Sequence, residues 1–296
     1  MLELSFISRL EVLITVSIIT AVIFILSCNG GITDDSNSDT VPETPWLIPG
    51  GGGRHPDFSP DGTEIAYIYD DLYTIPILGV EPKLLRKDNL TKGYPDWSPD
   101  GAKIAYSGYD GSICYGGLYI ISSEGGEPTA VFEDSYLGDL IPSWSPDGEK
   151  IVYSVGLFEI YIIPSTGGEP TFLCGGHEPV WTRDGKNIIF SSGNALYMVP
   201  ATGGTPEEIE GSKPARDPTL SPDSSWVAFR VPAGSEYDNI FAMPLAGGDK
   251  IKVNTGDHDA LWGQPDWSPN GKYIAVTISE PYGIWLFDAP YTGDLR

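Results

Sequence analysis

The sequence predicts an all-β fold, a six-bladed β-propeller of four-stranded antiparallel blades closed by an N-terminal strand in the last blade. Three observations carry that expectation. One phrase recurs six times at intervals near forty residues, beginning at Pro56, Pro95, Pro142, Pro179, Pro218 and Pro265, with PDWSPDGAKIAYS as a clear example. A second pattern, strand, Gly-Gly turn, strand, follows it in most units. The last unit stops a strand early, while a strand-like segment from Glu43 to Ile48 stands before the first.

Each phrase reads as a hairpin. An apolar-alternating strand ends at an aromatic residue such as Trp97, Trp144 or Trp267, meets Ser-Pro-Asp-Gly, and continues into a β-branched run such as Lys103 to Tyr106. Proline presets φ for the second turn position and glycine accepts the left-handed one. The following strands, Leu118 to Ser122, Ile160 to Pro164, Leu196 to Pro200 and Ile240 to Pro244, each run into a Gly-Gly pair, at Gly125-Gly126, Gly167-Gly168, Gly203-Gly204 and Gly247-Gly248. Four short strands per unit in six units make a ring whose edges are short and protected. The final unit ends after Gly283 to Asp288 without an outer strand, so Glu43 to Ile48 is expected to complete it and lock the circle.

The chain divides into a signal segment at residues 1–27, an acidic tether at 28–43 and the propeller at 44–296. Val12 to Leu26 is almost wholly apolar, short for a membrane span and suited to a signal-peptide core. Ile25-Leu26-Ser27-Cys28 resembles a bacterial lipobox, which would make Cys28 the lipidated N-terminus; an ordinary secretory signal and an uncleaved anchor are the alternatives. Residues 29–40 hold Gly, Ser, Asn, Thr and Asp around one apolar side chain, Ile32, and have too little to bury. Asp35, Asn37 and Asp39 start with calcium-loop spacing, but Thr40 replaces the turn glycine and Trp46 the bidentate Glu, so the stretch reads as linker.

Without residues 1–27 the chain keeps 16 basic and 39 acidic side chains, a net charge of −23, which argues against nucleic acid and anionic lipid surfaces as partners. The one basic cluster, Lys83, Arg86, Lys87 and Lys92, reads as a solvated strand edge. If Cys28 carries lipid, Cys114 and Cys174 remain, and an oxidising compartment would let them pair.

The repeated phrase resembles the PD40 or TolB-like propeller repeat, whose Trp-Ser-Pro-Asp-Gly is intact at Trp97 to Gly101 and Trp144 to Gly148. With Cys28, the resemblance implies a bacterial lipoprotein of the cell envelope. Family members that carry an α/β domain ahead of the propeller use it in partner binding, and here the tether takes that place. Relatives in the prolyl-oligopeptidase group join the propeller to an α/β-hydrolase domain, but no G-x-S-x-G occurs in this chain. Propeller lyases of pectin breakdown are similar in general repeat style and bind a divalent metal through loop histidines.

The three histidines, His55, His177 and His258, each fall in a connection from an outer strand to the next inner one, near the channel mouth. They are the only visible metal-ligand candidates, but His55 and His177 belong to opposite blades, so no metal or other cofactor is expected. Unit length is more informative: successive turns are 39, 47, 37, 39 and 47 residues apart, which places the extra residues in blades two and five. The additions hold Tyr109, Asp110, Tyr115, Tyr136 and Asp139 in blade two and Tyr237, Asp238, Asp257, His258 and Trp262 in blade five. Aromatic surface beside acceptor groups on loops is the chemistry of recognition.

The expected function is therefore a non-catalytic, lipid-anchored, extracytoplasmic binding or scaffold propeller, monomeric, meeting a protein or peptide partner through the loops of blades two and five. It would touch the membrane only through its lipid. The alternative is a metal-assisted lyase or hydrolase acting on an acidic or sugar polymer through the histidines.

Overall fold

The computed structural model describes residues 44–111, 115–135, 140–156, 159–232, 238–253, 264–279 and 281–290. Cys28, Cys114, Tyr136, Asp139, Tyr237, Asp257, His258 and Trp262 lie outside them, as do the signal segment and the tether. Among the described residues every element is a strand or turn, and the strands form six four-stranded antiparallel sheets.

The chain enters on β1 (Trp46–Leu47) and then builds blade one from β2 (Arg54–Phe58), β3 (Glu64–Tyr69), β4 (Asp71–Pro76) and β5 (Lys83–Arg86). Blade two is β6 (Thr91–Trp97), β7 (Lys103–Asp110), β8 (Tyr115–Ser122) and β9 (Thr129–Ser135); blade three is β10 (Leu140–Trp144), β11 (Lys150–Val155), β12 (Glu159–Pro164) and β13 (Thr171–Cys174). Blade four is β14 (His177–Trp181), β15 (Asn187–Ser192), β16 (Ala195–Pro200) and β17 (Glu207–Glu208), and blade five is β18 (Arg216–Leu220), β19 (Trp226–Val231), β20 (Asn239–Pro244) and β21 (Ile251–Lys252). Blade six takes β22 (Asp266–Trp267), β23 (Tyr273–Ser279) and β24 (Tyr282–Asp288), and β1 supplies its outer strand.

The closure expected from the sequence is present. Trp46 pairs with Leu286 and Leu47 with Trp285, and the Ile48 amide donates to Ile284 O at 3.0 Å. Ile48 itself is 1% exposed, packed between blades six and one with Phe58, Ile65, Ile75 and Ile284. Inner strands touch in the cyclic order β2, β6, β10, β14, β18, β22 and back to β2.

The core is distributed between blades. Trp97 packs with Ile68 and Leu72 of blade one, Trp144 with Ala105 and Leu118 of blade two, Trp181 with Val152 and Ile160 of blade three, and Trp267 with Ala228 and Ile240 of blade five. The aromatic end of these inner strands thus fills the gap to the preceding blade. Burying such interfaces is what makes neighbouring repeats stabilise one another.

The Ser-Pro-Asp-Gly turns are internally bonded. Ser59 Oγ donates to Asp61 Oδ1 at 2.7 Å and accepts from the Glu64 amide at 3.0 Å, while the Thr63 amide donates to Asp61 Oδ1 at 3.0 Å. Asn270 accepts in the same way from Ser268 Oγ and the Lys272 amide, so the one turn without Asp keeps its bonds. Where serine replaces the turn glycine, Ser224 adopts a φ of 55°, a conformation that L residues adopt only at a cost.

The basic cluster is not a solvated edge throughout. Lys92 is buried and bonds Asp71 Oδ1 at 3.1 Å and Asp88 Oδ1 at 2.7 Å. Lys83 pairs with Glu124, and Arg86 with Asp88 and Glu127, so these cations tie blade one to blade two. Lys87 is exposed and has no ion-pair partner among the described residues, the character expected of all four.

Candidate functional site

The repeat places a proline near the start of every inner strand, and the residues flanking that proline are those that vary between blades. They stack into three tiers down the channel. Two residues before the proline stand Arg54, Gly93, Leu140, His177 and Arg216. Immediately before it stand His55, Tyr94, Ile141, Glu178, Asp217 and Gln264, and immediately after it Asp57, Asp96, Ser143, Val180, Thr219 and Asp266.

The middle tier is strained. His55, Tyr94, Glu178 and Asp217 have φ of 55°, 52°, 56° and 50°, and the pairing register shifts at each of them. The following proline has no N–H to give to the ladder, which makes a bulge at this position easier to accommodate. A left-handed non-glycine residue costs on the order of 1–3 kcal/mol, and such strain clusters at functional sites.

In two places the bulges link neighbouring blades. The Tyr94 amide donates to His55 Nδ1 at 3.3 Å, and the two rings stack with centroids 4.0 Å apart. Because Nδ1 accepts, the neutral imidazole carries its proton on Nε2. Burial, aided by the charges of Arg54 and Arg230, pushes the His55 pKa down to about 3, so the ring stays neutral at ordinary pH. Three blades on, the Asp217 amide donates to Glu178 Oε2 at 2.6 Å, and His177 Nδ1 lies 3.1 Å from Glu178 Oε1. Burial alone would raise the Glu178 pKa, but His177 and the Asp217 amide outweigh it and hold it down at about 2. Burial and the Glu178 charge push Asp217 up, against the pull of Arg230, whose guanidinium bonds both Asp217 and Asp238.

The lower tier holds three carboxylates in consecutive blades six, one and two. Asp266 Oδ2 accepts from the Phe58 amide at 2.7 Å, Asp57 Oδ2 from the Trp97 amide at 2.7 Å, and Asp96 Oδ2 from the Trp144 amide at 2.6 Å. Asp266 Oδ1 also accepts from Thr219 Oγ1 at 3.2 Å. Each carboxylate therefore fastens its own blade to the next. Deep placement among protein atoms raises all three pKa values, with Asp96 pushed up to about 8 and Asp266 to about 6; Asp57 is raised by burial and by the charges of Asp266 and Asp96.

Of the residues expected from the sequence, Tyr109 and Asp110 end β7 and Tyr115 begins β8, paired across a lengthened hairpin, so part of the extra length in blade two extends strands. Tyr115 is 37% exposed, and its hydroxyl lies 3.5 Å from Glu133 Oε2. Asp238 faces inward onto Arg230 and takes part in the charge network. His55 is the second residue of inner strand β2 and His177 the first of β14, so neither sits in a connecting loop. Among the described residues no three His, Cys, Asp or Glu side chains gather as a metal site. Cys174 is a buried free thiol with its pKa pushed up to about 11 by burial.

Sequence reasoning missed Tyr94, Glu178, Asp217, Arg230 and the three carboxylates. Their signal was available in the residues either side of the repeat proline, which change chemistry while the proline and the aromatic end stay largely in place.

No family model matches the chain. In sequence it is similar to the Tol-Pal system protein TolB of Francisella tularensis, 30% identical over 100 residues, a stretch that makes up 31% of this chain and 23% of that protein. It is also similar to a Bacillus subtilis protein named as the uncharacterized peptidase YuxL, 32% identical over 93 residues, 31% of this chain and 14% of the other. Each match thus spans under a quarter of the relative's own length. In structure it is similar to a putative TolB from Agrobacterium tumefaciens, with a TM-score of 0.64 at 24% identity over 81% of this chain and 91% of the other. TolB from Acinetobacter baumannii gives 0.60 at 20% identity over 81% and 64%. An oligogalacturonate lyase in complex with manganese gives 0.58 at 13% identity over 81% and 78%. These likenesses are likenesses of fold, and the fold is that of a TolB-like six-bladed β-propeller.

Proposed function

We propose that this chain is a non-catalytic, extracytoplasmic binding propeller that recognises a protein or peptide partner on the face around the channel mouth. The observation that carries this reading is the ring of His55, Tyr94, Glu178 and Asp217, four polar residues of different chemistry held in the same strained conformation at one level. Together they offer an aromatic face, an N–H donor and carboxyl oxygens, whereas the opposite face repeats one turn six times. Tyr109, Asp110 and Tyr115, at the lengthened hairpin of blade two, border the same face. Similarity to proteins named TolB supports a partner within the cell envelope. Among the described residues no helix is long and apolar enough to cross a membrane, and attachment through lipid on Cys28 is part of the proposal.

The test is a pull-down from detergent-solubilised membranes with the intact chain, with blades two and five shortened to the length of blade three, and with His55→Ala and Tyr94→Ala together. The partner should be lost from both altered proteins while their melting transitions stay cooperative. Retention by both would overturn the reading. The likeness to a manganese-bound lyase gives the alternative a separate test. A metal-assisted enzyme acting through His55, His177 and His258 would form an unsaturated product from oligogalacturonate when manganese is added, and a binding propeller would not.

A further inference from the structure

In a chain with 41 acidic and 17 basic side chains, a guanidinium has many carboxylates to choose from. Arg86 and Arg230 each bind two. Arg54 and Arg216, in corresponding positions of blades one and five, bind none among the described residues. Arg216 stands across the strand pair from Arg230, a like-charge arrangement that is unfavourable by itself. Among the described residues its Nη2 donates to the amide oxygen of Asn194, at 3.1 Å, and its Nε is buried with no hydrogen-bond partner. A buried charged donor left unmade is costly, and the Nη edge, exposed where it meets Asn194, is the part of the guanidinium that an incoming carboxylate reaches.

Arg54 opens β2 of blade one as Arg216 opens β18 of blade five, and the hairpins that join β3 to β4 and β23 to β24, with Tyr69 and Tyr282, turn at that same end of blades one and six. These cations and tyrosines therefore occupy one sector of the mouth. Tyr69 is 56% and Tyr282 47% exposed, large aromatic surfaces on the hairpins of blades one and six. Arginine beside exposed tyrosine is the composition of binding hot spots.

We infer that the mouth sector spanning blades five, six and one is a docking site for an acidic peptide segment, with acidic side chains held by Arg216 and Arg54 and neighbouring side chains covered by Tyr69 and Tyr282. This rests on the binding reading above and names its partner class. A planar carboxylate matches the guanidinium fork. The net charge of −24 repels an extended polyanion, whereas a segment with one or two acids among apolar residues meets the local cations and rings with little long-range penalty.

The test selects random displayed peptides on the full-length chain in detergent. The enriched peptides should carry Asp or Glu, and changing that residue to Asn or Gln should weaken binding by about tenfold or more. Arg216→Gln should cause a loss of the same order with the acidic peptide and little loss with its amide counterpart. Arg54→Gln, at an exposed position, provides a second variant should Arg216→Gln melt early. Peptides that bind equally well to both variants would overturn this inference while leaving the binding reading intact. Failure to enrich any peptide would overturn both. Arginine-dependent binding of trigalacturonate in place of peptide would reassign the sector to a sugar acid.

Discussion

Asp96 illustrates how one position in the repeat acquires two tasks. Its carboxylate accepts the Trp144 amide and so fastens blade two to blade three, yet its depth in the channel raises its pKa from 3.8 to about 8. A raised pKa means that the native state holds the proton more tightly than the unfolded chain. The resulting stabilisation is full below pH about 4 and is lost as pH rises through about 8. Asp57 and Asp266 of the same tier, and Asp217, are raised by burial as well and add to the slope in that window. The melting temperature should therefore fall from pH 6 to pH 9 in the native protein and fall less in Asp96→Asn, which keeps an oxygen for the Trp144 amide. Parallel curves for the two proteins would rule this out. His55 works in the opposite direction: held neutral by burial, it withdraws stability as pH falls from about 6.5 toward about 3.

At the scale of elements, the turn between the third and fourth strands shows what the repeat tolerates. In blade two Gly125 nests on the outer strand of blade one, where an added Cβ would lie 3.1 Å from Leu85 O. The second glycine of that turn is replaced in blade one by Val80, which takes a φ of 139° and is 80% exposed. A β-branched residue gains no packing there and carries the strain, so Val80→Gly should raise stability by about 1 kcal/mol, measured by denaturant unfolding. A loss on that substitution would show that the valine contributes more than its conformation costs. Trp144→Ala tests the inter-blade packing: it empties a site 8% exposed and removes the Nε1 bond to Asp96 O at 3.1 Å, for an expected loss of about 3–5 kcal/mol. A loss under about 1 kcal/mol would show that the blades hold together by other means.

For the molecule as a whole, the ring depends on a short segment far from the rest of its blade in sequence. Deleting residues 29–42 should leave the melting temperature nearly unchanged, since their composition offers no core. Extending the deletion through Gly50 removes β1 and Ile48, opens the edge of β24, and should lower the melting temperature by several degrees or more. Equal melting temperatures for the two truncations would contradict closure by the N-terminal strand.

Blade number, strand order, hairpin turns and closure were determined by the sequence alone. Each depends on local periodicity, turn chemistry and a count of strands, all of which survive in one dimension because each blade contacts mainly its neighbours. Lys92 could not be read in this way: on sequence it was one more lysine on an edge, and only the fold brings Asp71 and Asp88 against it. The same limit applied at the mouth. Glu178 and Asp217 are 39 residues apart, Asp57 and Asp266 further still, and Arg230 reaches the site from a second strand. Their chemistry arises where residues of similar register but different blades meet around the channel. The tertiary structure decided it, because burial, charge pairing and backbone strain depend on neighbours that only ring closure supplies.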